Sequence, residues 1–275
     1  MNLFWAVCLV VASVGVAVAA ILLIRRRAPD GGYFNDSDRA SGVFGVLATG
    51  FAITLGFVVF LAFTSYDNSK AGAEEEARVV TQQFETAQFM GPGVAARLGD
   101  QLICYARSVV HEEWPRLEAG GEPTTANRWA VPMFRTVRAA SPATPAQEAA
   151  YSKWLDQTTE RQVARQDRIH GADGVIPTPL WIVLLFTAAV IFGYMLLYAD
   201  SGERAIAQAM LIGSVAAVLS ATILVIRFLD DPYSPGVGQL EPVAMERALR
   251  TLDLERGIVG RTGPLPCSET GAPAR

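Results

Sequence analysis

The hydrophobic pattern of this chain is dominated by one long stretch between Gly42 and Met90. Its first half, Val43 to Tyr66, contains no charged residue and is long enough to cross a bilayer. Its second half is polar, but no proline interrupts it, so a single helix is expected across both halves. At 1.5 Å per residue such a helix would be about 70 Å long.

One face of this helix can be followed at alternating steps of four and three residues. In the apolar half this face carries small residues, including Gly45, Ala52 and Gly56, which would let a second helix approach closely. In the polar half, from Ala73 to Ala87, the same face is apolar with charged neighbours, as on a helix that packs into a bundle. The rest of the chain is therefore expected to pack around this helix, partly in lipid and partly in water.

A second face of the apolar half carries large side chains, namely Ile53, Phe57, Phe60 and Leu61. If several copies surrounded an axis, this ridge would form a hydrophobic constriction, which can gate ions by dewetting. The alternative is that these side chains face lipid or a neighbouring helix, and a single sequence favours that alternative for any one of them.

Three further apolar segments have the length of membrane helices: Leu3 to Ile24, Leu180 to Tyr198 and Ala205 to Leu229. Arginines 25–27 follow the first segment instead of preceding it, which argues against a cleaved signal peptide. The predicted fold is an all-α integral membrane protein with four transmembrane helices and an all-helical extramembrane domain inserted between the second and third.

The expected organisation follows the chain in order. The first half comprises the first transmembrane helix at 1–24, a short polar connector at 25–42, and the second helix with its extramembrane extension at 43–90. The helical domain at 91–179 follows, and then the third helix at 180–199, a tight turn at 200–204 and the fourth helix at 205–229. The tail at 230–275 is expected to contain an amphipathic helix at about 241–256 and a disordered end.

Composition and motifs narrow the function. The chain is 51% hydrophobic and 18% charged, and its net charge of −4 argues against a nucleic-acid partner. No phosphate-binding glycine loop, nucleophile elbow or HExxH motif occurs, so no enzyme activity, catalytic residue, cofactor or metal site is expected. The acids at 74–76 are interpreted as a solvated surface because consecutive residues cannot share one helix face, and Asp230 and Asp231 as a helix cap and turn.

Two short motifs connect this pattern to a known family: Glu74-Glu75-Glu76-Ala77 on the second helix and Leu229-Asp230-Asp231-Pro232-Tyr233-Ser234 after the fourth. With the order of helices, they resemble the bestrophin-like family, membrane proteins of unknown function that are similar to bestrophin anion channels. The resemblance covers roughly residues 40–255. It implies a homo-oligomer in the lipid bilayer and, as the first hypothesis, an oligomeric anion channel.

A different class of function is the alternative hypothesis. The apolar stripe from Ala73 to Ala87, outside the membrane, is also what a non-conducting scaffold or sensor would use to bind a partner through its helical domain. The oligomeric arrangement would discriminate the two, since a channel needs the second helices around an axis.

Orientation in the membrane is open to two arguments. An even number of crossings places both termini and the helical domain on one side and the two short connectors on the other. Positive residues in short loops stay cytoplasmic, which favours the helical domain and both termini outside, whereas bestrophins have a cytoplasmic domain. In the outside orientation Cys104 and Cys267 would share an oxidising compartment and could pair. The positive residues in the connectors are Arg25, Arg26, Arg27, Arg39 and Arg204.

Overall fold

The computed structural model describes residues 3–121, 127–236 and 238–274. The described chain is helical, with one isolated bridge between Cys267 and Pro273 as its only strand-like pairing. Its elements are α1 (Leu3–Arg25), α2 (Ser37–Ala87), α3 (Pro92–Ser108), a π-helical segment (Val109–Glu113), α4 (Trp114–Glu118), α5 (Ala130–Arg138), α6 (Pro145–His170), a 3-10 turn (Gly171–Asp173), α7 (Thr178–Leu196), α8 (Ala205–Asp230) and α9 (Val243–Ile258).

The chain divides into two compact units, which share the long helix α2. The apolar unit contains α1, the part of α2 up to Ser65, α7 and α8. The polar unit begins at Tyr66 and contains the rest of α2, helices α3 to α6, and α9. In the described chain, four helices (α1, α2, α7 and α8) are long and apolar enough to cross a membrane.

Within the apolar unit, α1 packs along α8 through small residues. A Cβ added at Gly213 would lie 3.4 Å from Cγ2 of Val18 and 3.5 Å from Cγ1 of Val14, so the two helices are in direct contact there. The Ser13 hydroxyl donates a hydrogen bond to the Ser220 hydroxyl at 2.9 Å. Small residues on both helices allow this approach, as in other membrane helix pairs.

In the polar unit, α2 supplies one wall of the hydrophobic core. Its residues Ala73, Ala77, Val80, Phe84 and Ala87 are all buried, which confirms the predicted core face of this half. The core also contains large aromatic side chains from the other helices of the unit, namely Tyr105, Trp114, Trp154 and Tyr233.

One helix boundary differs from the sequence-based expectation. Helix α2 begins at Ser37, not at residue 43, because Asp36 caps it by accepting a hydrogen bond from the Arg39 amide at 3.0 Å. Pro115 lies in the first turn of α4, directly after the π-helical segment, where a missing amide hydrogen is tolerated.

The carboxy-terminal segment is ordered where disorder was expected. Cys104 and Cys267 form a disulfide, with their Cα atoms 5.8 Å apart, and this bridge ties the tail to α3. The indole of Trp129 donates a hydrogen bond to the Gly271 carbonyl at 2.8 Å. The amide of Ser268 bonds the Ala272 carbonyl at 2.8 Å, which folds the tail back on itself.

Helices α2 and α6 cross most closely at Gly72. A Cβ at this position would lie 2.5 Å from the Arg168 amide nitrogen and 2.8 Å from the Ala164 carbonyl oxygen. Backbone atoms cannot move away as a flexible side chain can, so only glycine fits this crossing.

We expect Gly72→Ala to lower the thermal unfolding midpoint of the purified protein, because overpacking of this kind costs about 1–3 kcal/mol. Gly193→Ala on α7 is the matched control, since nothing lies within 4 Å of a Cβ there. Unfolding followed by tryptophan fluorescence in detergent measures both. Equal midpoints for the two variants would contradict the tight crossing.

Candidate functional site

Helix α2 presents a continuous exposed stripe, which we call the seam. Its members are spaced alternately four and three residues apart, and every one is exposed in the single chain. The seam is apolar at first and becomes polar at Thr64. It consists of Ile53, Phe57, Phe60, Thr64, Asp67, Ala71, Glu74 and Arg78.

Three of the four residues predicted to form a pore neck lie on the seam. Ile53 is 70% exposed, Phe57 61% and Phe60 62%, so none of them is used in packing within its own chain. Leu61 is half-buried and lies one position off the seam. Large apolar side chains that remain exposed at regular helical spacing indicate a surface directed at lipid or at other copies.

The predicted close-packing stripe is not used within the chain. Gly45, Ala52 and Gly56 are exposed, and a Cβ at either glycine would meet nothing within 4 Å. The expectation that these small residues pack against another helix is therefore not met inside one copy. The small intrachain contact is instead made by α1 and α8 at Gly213.

A buried charge network holds the polar unit together at the back of α2. The Arg168 guanidinium donates to the Glu76 carboxylate through Nε at 2.5 Å and to the Glu113 carboxylate through Nη2 at 2.6 Å. Arg165 reaches Glu113 at 3.2 Å, and the Tyr105 hydroxyl donates to Glu76. Arg168 and Glu76 are fully buried, so each charge depends on its partner for stabilisation.

The ion pairs of Arg168 join three helical segments. Glu76 comes from α2, Arg168 from α6, and Glu113 from the π-helical segment after α3. The wider π turn directs Glu113 inward, while the preceding residue Glu112 pairs with Arg128 at 2.9 Å. The guanidinium of Arg168 also lies 5.4 Å from the ring centroid of Trp114, a cation–π distance.

These residues were not predicted to interact, although the sequence contains a signal. Glu76 was interpreted as part of a solvated acidic run, but it lies three residues after Ala73 and four before Val80, in the buried phase of α2. Arg168 lies four residues after the buried Ala164 on α6. A charge in the apolar phase of a helix is the signal, because such a charge needs a buried partner.

Asp230, the last residue of α8, binds the segment that precedes α7, and Asp231 occupies the C-cap position of α8. The Asp230 carboxylate accepts hydrogen bonds from the amides of Val175 at 2.8 Å and Ile176 at 2.9 Å, and from the Trp181 indole at 3.3 Å. Asp231 pairs with Arg227 at 2.9 Å. The described residues contain no cluster of three or more His, Cys, Asp or Glu that could hold a metal ion.

Comparison with known proteins relates this fold to a family. The family model for the Bestrophin-like domain matches residues 11–245. A bacterial Bestrophin homolog from Klebsiella pneumoniae is 15% identical, with a TM-score of 0.67 over 95% of this chain and 100% of that chain. A mutated form of a homolog from the same organism gives a TM-score of 0.68 at 14% identity, over 92% and 99% of the two chains.

A third crystal structure, described only as a membrane protein, gives a TM-score of 0.70 at 14% identity, over 92% of this chain and 99% of that one. No curated protein matches the chain. At these identities the solved structures establish the fold.

The network predicts how the stability of the folded protein depends on pH. Burial alone would raise the pKa of Glu113, but Arg168 and Arg165 outweigh burial and hold the pKa of this carboxyl below its ordinary value. The folded state then binds fewer protons than the unfolded state, so this stabilisation is fully present above the unfolded pKa of about 4.3 and is lost as pH falls through the folded pKa.

We expect Glu113→Gln to lower stability at pH 7 by about 3 kcal/mol, because it removes one of the two carboxylates that compensate the buried guanidinium of Arg168. The variant should also lose less stability than the wild type on acidification below about pH 4.3. Thermal unfolding as a function of pH measures both effects. Glu112→Gln, at the neighbouring half-buried ion pair, is the control and should cost about 1 kcal/mol or less. Parallel pH profiles for wild type and Glu113→Gln would refute the assignment.

Proposed function

Because the chain belongs to the bestrophin-like family, we propose that several copies assemble in a bilayer around their α2 seams and form an ion channel. The family match over residues 11–245 confirms the resemblance found in the sequence. It makes this chain a membrane protein of the bestrophin-like family, and the ring and its conduction are our proposal.

The observation that carries the proposal is the seam. Ile53, Phe57 and Phe60 are large, apolar and exposed, and the polar members of the seam follow them at unbroken helical spacing. Around an axis, the apolar members would form a constriction and the polar members a hydrated vestibule. A narrow apolar ring gates ions by dewetting, while charged rings select among ions that enter.

The alternative of a non-conducting scaffold loses its original support. It rested on the apolar stripe from Ala73 to Ala87, but in the structure these residues are part of the polar unit's own core. Packing within the chain therefore accounts for the apolar stripe.

The charge of the conducted ion has two candidates. The bestrophins that this family resembles are anion channels, so anions are the first. Asp67 and Glu74 are exposed on the seam beyond the neck, whereas Arg78 is paired with Glu75. Rings of carboxylates attract cations, so these two residues favour cations as the second candidate.

The proposal extends to orientation, with the polar unit and both termini outside the cytoplasm. The connectors on the opposite side contain the arginines at 25–27, 39 and 204, and arginines in short loops favour the cytoplasm. The disulfide between Cys104 and Cys267 lies in the polar unit, and disulfides persist in oxidising compartments. Both observations support the orientation opposite to that of bestrophins.

Recording from purified protein in planar bilayers tests the channel. We expect single-channel currents, and we expect Phe57→Ala to raise the open conductance because it widens the apolar constriction. Phe186→Ala on α7 is the control, since Phe186 is 68% exposed but lies outside the seam. The reversal potential in a salt gradient decides between anions and cations. Silent protein, or equal effects of both substitutions, would refute the seam as a pore lining.

Labelling with a membrane-impermeant maleimide tests the orientation. In a Cys8→Ser background, we expect Ser152→Cys on α6 to react in intact cells and Asn35→Cys in the connector to react only after permeabilisation. Both positions are exposed in the chain, so access to reagent decides the outcome. The reverse pattern would place the polar unit in the cytoplasm.

A further inference from the structure

We infer that neighbouring copies in the ring dock head to tail, with an acidic ridge on α6 of one copy seated in a groove between α2 and α9 of the next. The inference rests on the proposed ring and goes beyond it by naming the two surfaces. Both surfaces lie within the polar unit.

The groove is a cavity of about 650 Å³ between α2 and α9. Small and apolar side chains contribute much of its lining, including Ala73, Ala77 and Ala244. Two exposed basic residues, Lys70 and Arg247, also line it. An open apolar groove with basic side chains suits an apolar ridge that carries acids.

The ridge follows one exposed face of α6. Asp156, Glu160, Val163 and Asp167 are spaced four, three and four residues apart, and Val163 is 52% exposed. With Glu75 of α2, these residues line an open depression between α2 and α6 that contains four carboxylates. The exposed Val163 side chain would contact the small residues of the groove, and the acids on either side of it would lie near Lys70 and Arg247.

The two surfaces differ in charge. Arg78 and Glu75 form an ion pair within one chain and cancel each other. Without that pair the groove contains Lys70 and Arg247 against Glu74 and Glu241 and is neutral, whereas the ridge surface carries −3, with Lys153 3.8 Å from Glu160. The exposed bases of the groove would attract the acids of the ridge, whereas two ridges placed together would repel.

The positions of the two surfaces on α2 explain why they would meet. At about 100° per residue, the groove positions 66, 70, 73 and 77 lie roughly 90° to one side of the seam. Glu75 and its neighbours on the ridge side lie roughly 90° to the other side. When the seam faces an axis, one flank of each copy faces the opposite flank of the next. Such a heterologous contact closes into a ring when the rotation between copies divides a full turn, as the proposed channel requires.

The unused small stripe fits the same contact. Gly45, Ala52 and Gly56 occupy the groove side of α2 by helical spacing and remain exposed in the single chain. Small residues on this flank allow the neighbouring copy to approach the apolar half of α2 closely.

Charge reversal tests the pairing. One variant carries Asp156→Lys with Asp167→Lys, a second carries Lys70→Glu with Arg247→Glu, and a third carries all four changes. We expect each double variant to dissociate at protein concentrations at least tenfold higher than the wild type, and the fourfold variant to recover most of the loss. Native mass spectrometry and light scattering in detergent measure the mass of the assembly. Arg135→Glu with Arg138→Glu on α5 is the control and should leave the mass unchanged.

A cross-linking experiment gives a second readout that does not depend on affinity. In a Cys8→Ser background, Val163→Cys combined with Ala244→Cys should give a ladder of cross-linked oligomers under mild oxidation, and either change alone should give none. Thermal midpoints near that of the wild type verify that the variants fold. Unchanged assembly mass in both double variants, together with no ladder, would overturn the pairing.

The outcomes separate this inference from the channel. If the cross-linked ladder forms and the fourfold variant reassembles, but the protein passes no current, the interface is supported and conduction is refuted. If the protein conducts, but no ladder forms and the charge variants keep the wild-type mass, the channel is supported and the interface is refuted. A monomeric wild-type protein refutes both.

Discussion

The polar unit depends on one buried cation. Arg168 binds the carboxylates of Glu76 and Glu113, and it thereby connects α2, α6 and the π-helical segment. Such a network is costly to assemble, because each charge leaves water, and costly to break, because the remaining charges lose their compensation. The aromatic side chains of Tyr105 and Trp114 contact the same groups and exclude water from them. Gly72 lets the two helices approach closely enough for these bonds to form.

This arrangement explains how α2 can be both core and surface in the polar unit. The face with Glu76 is fixed by ion pairs and by the apolar residues in phase with it. The opposite side of the helix is left exposed as the seam, with the groove and the ridge on its flanks. A helix held so firmly on one side can present the other side to neighbouring copies without relying on them for its own fold.

The architecture followed from the sequence to a large extent. Long apolar runs, glycine and proline breaks and the apolar phase from Ala73 to Ala87 specify helices and the core face, since they act through local periodicity. The network was missed because Glu76 stands in a run of acids, and its partner Arg168 is 92 residues away. No periodicity within one helix reveals which distant helix supplies the opposite charge. The ordered tail was missed for a similar reason, since its contacts with α3 and Trp129 are made by short polar segments.

The bridge between Cys104 and Cys267 spans 163 residues of sequence. Helices α6, α7 and α8 all lie between the two cysteines, so the bridge cannot close until nearly the whole chain has been synthesised. The bridge can therefore stabilise only the completed chain. A chain that stops after α8 would contain every apolar helix, yet it would leave Cys104 as an unpaired thiol in the core of the polar unit.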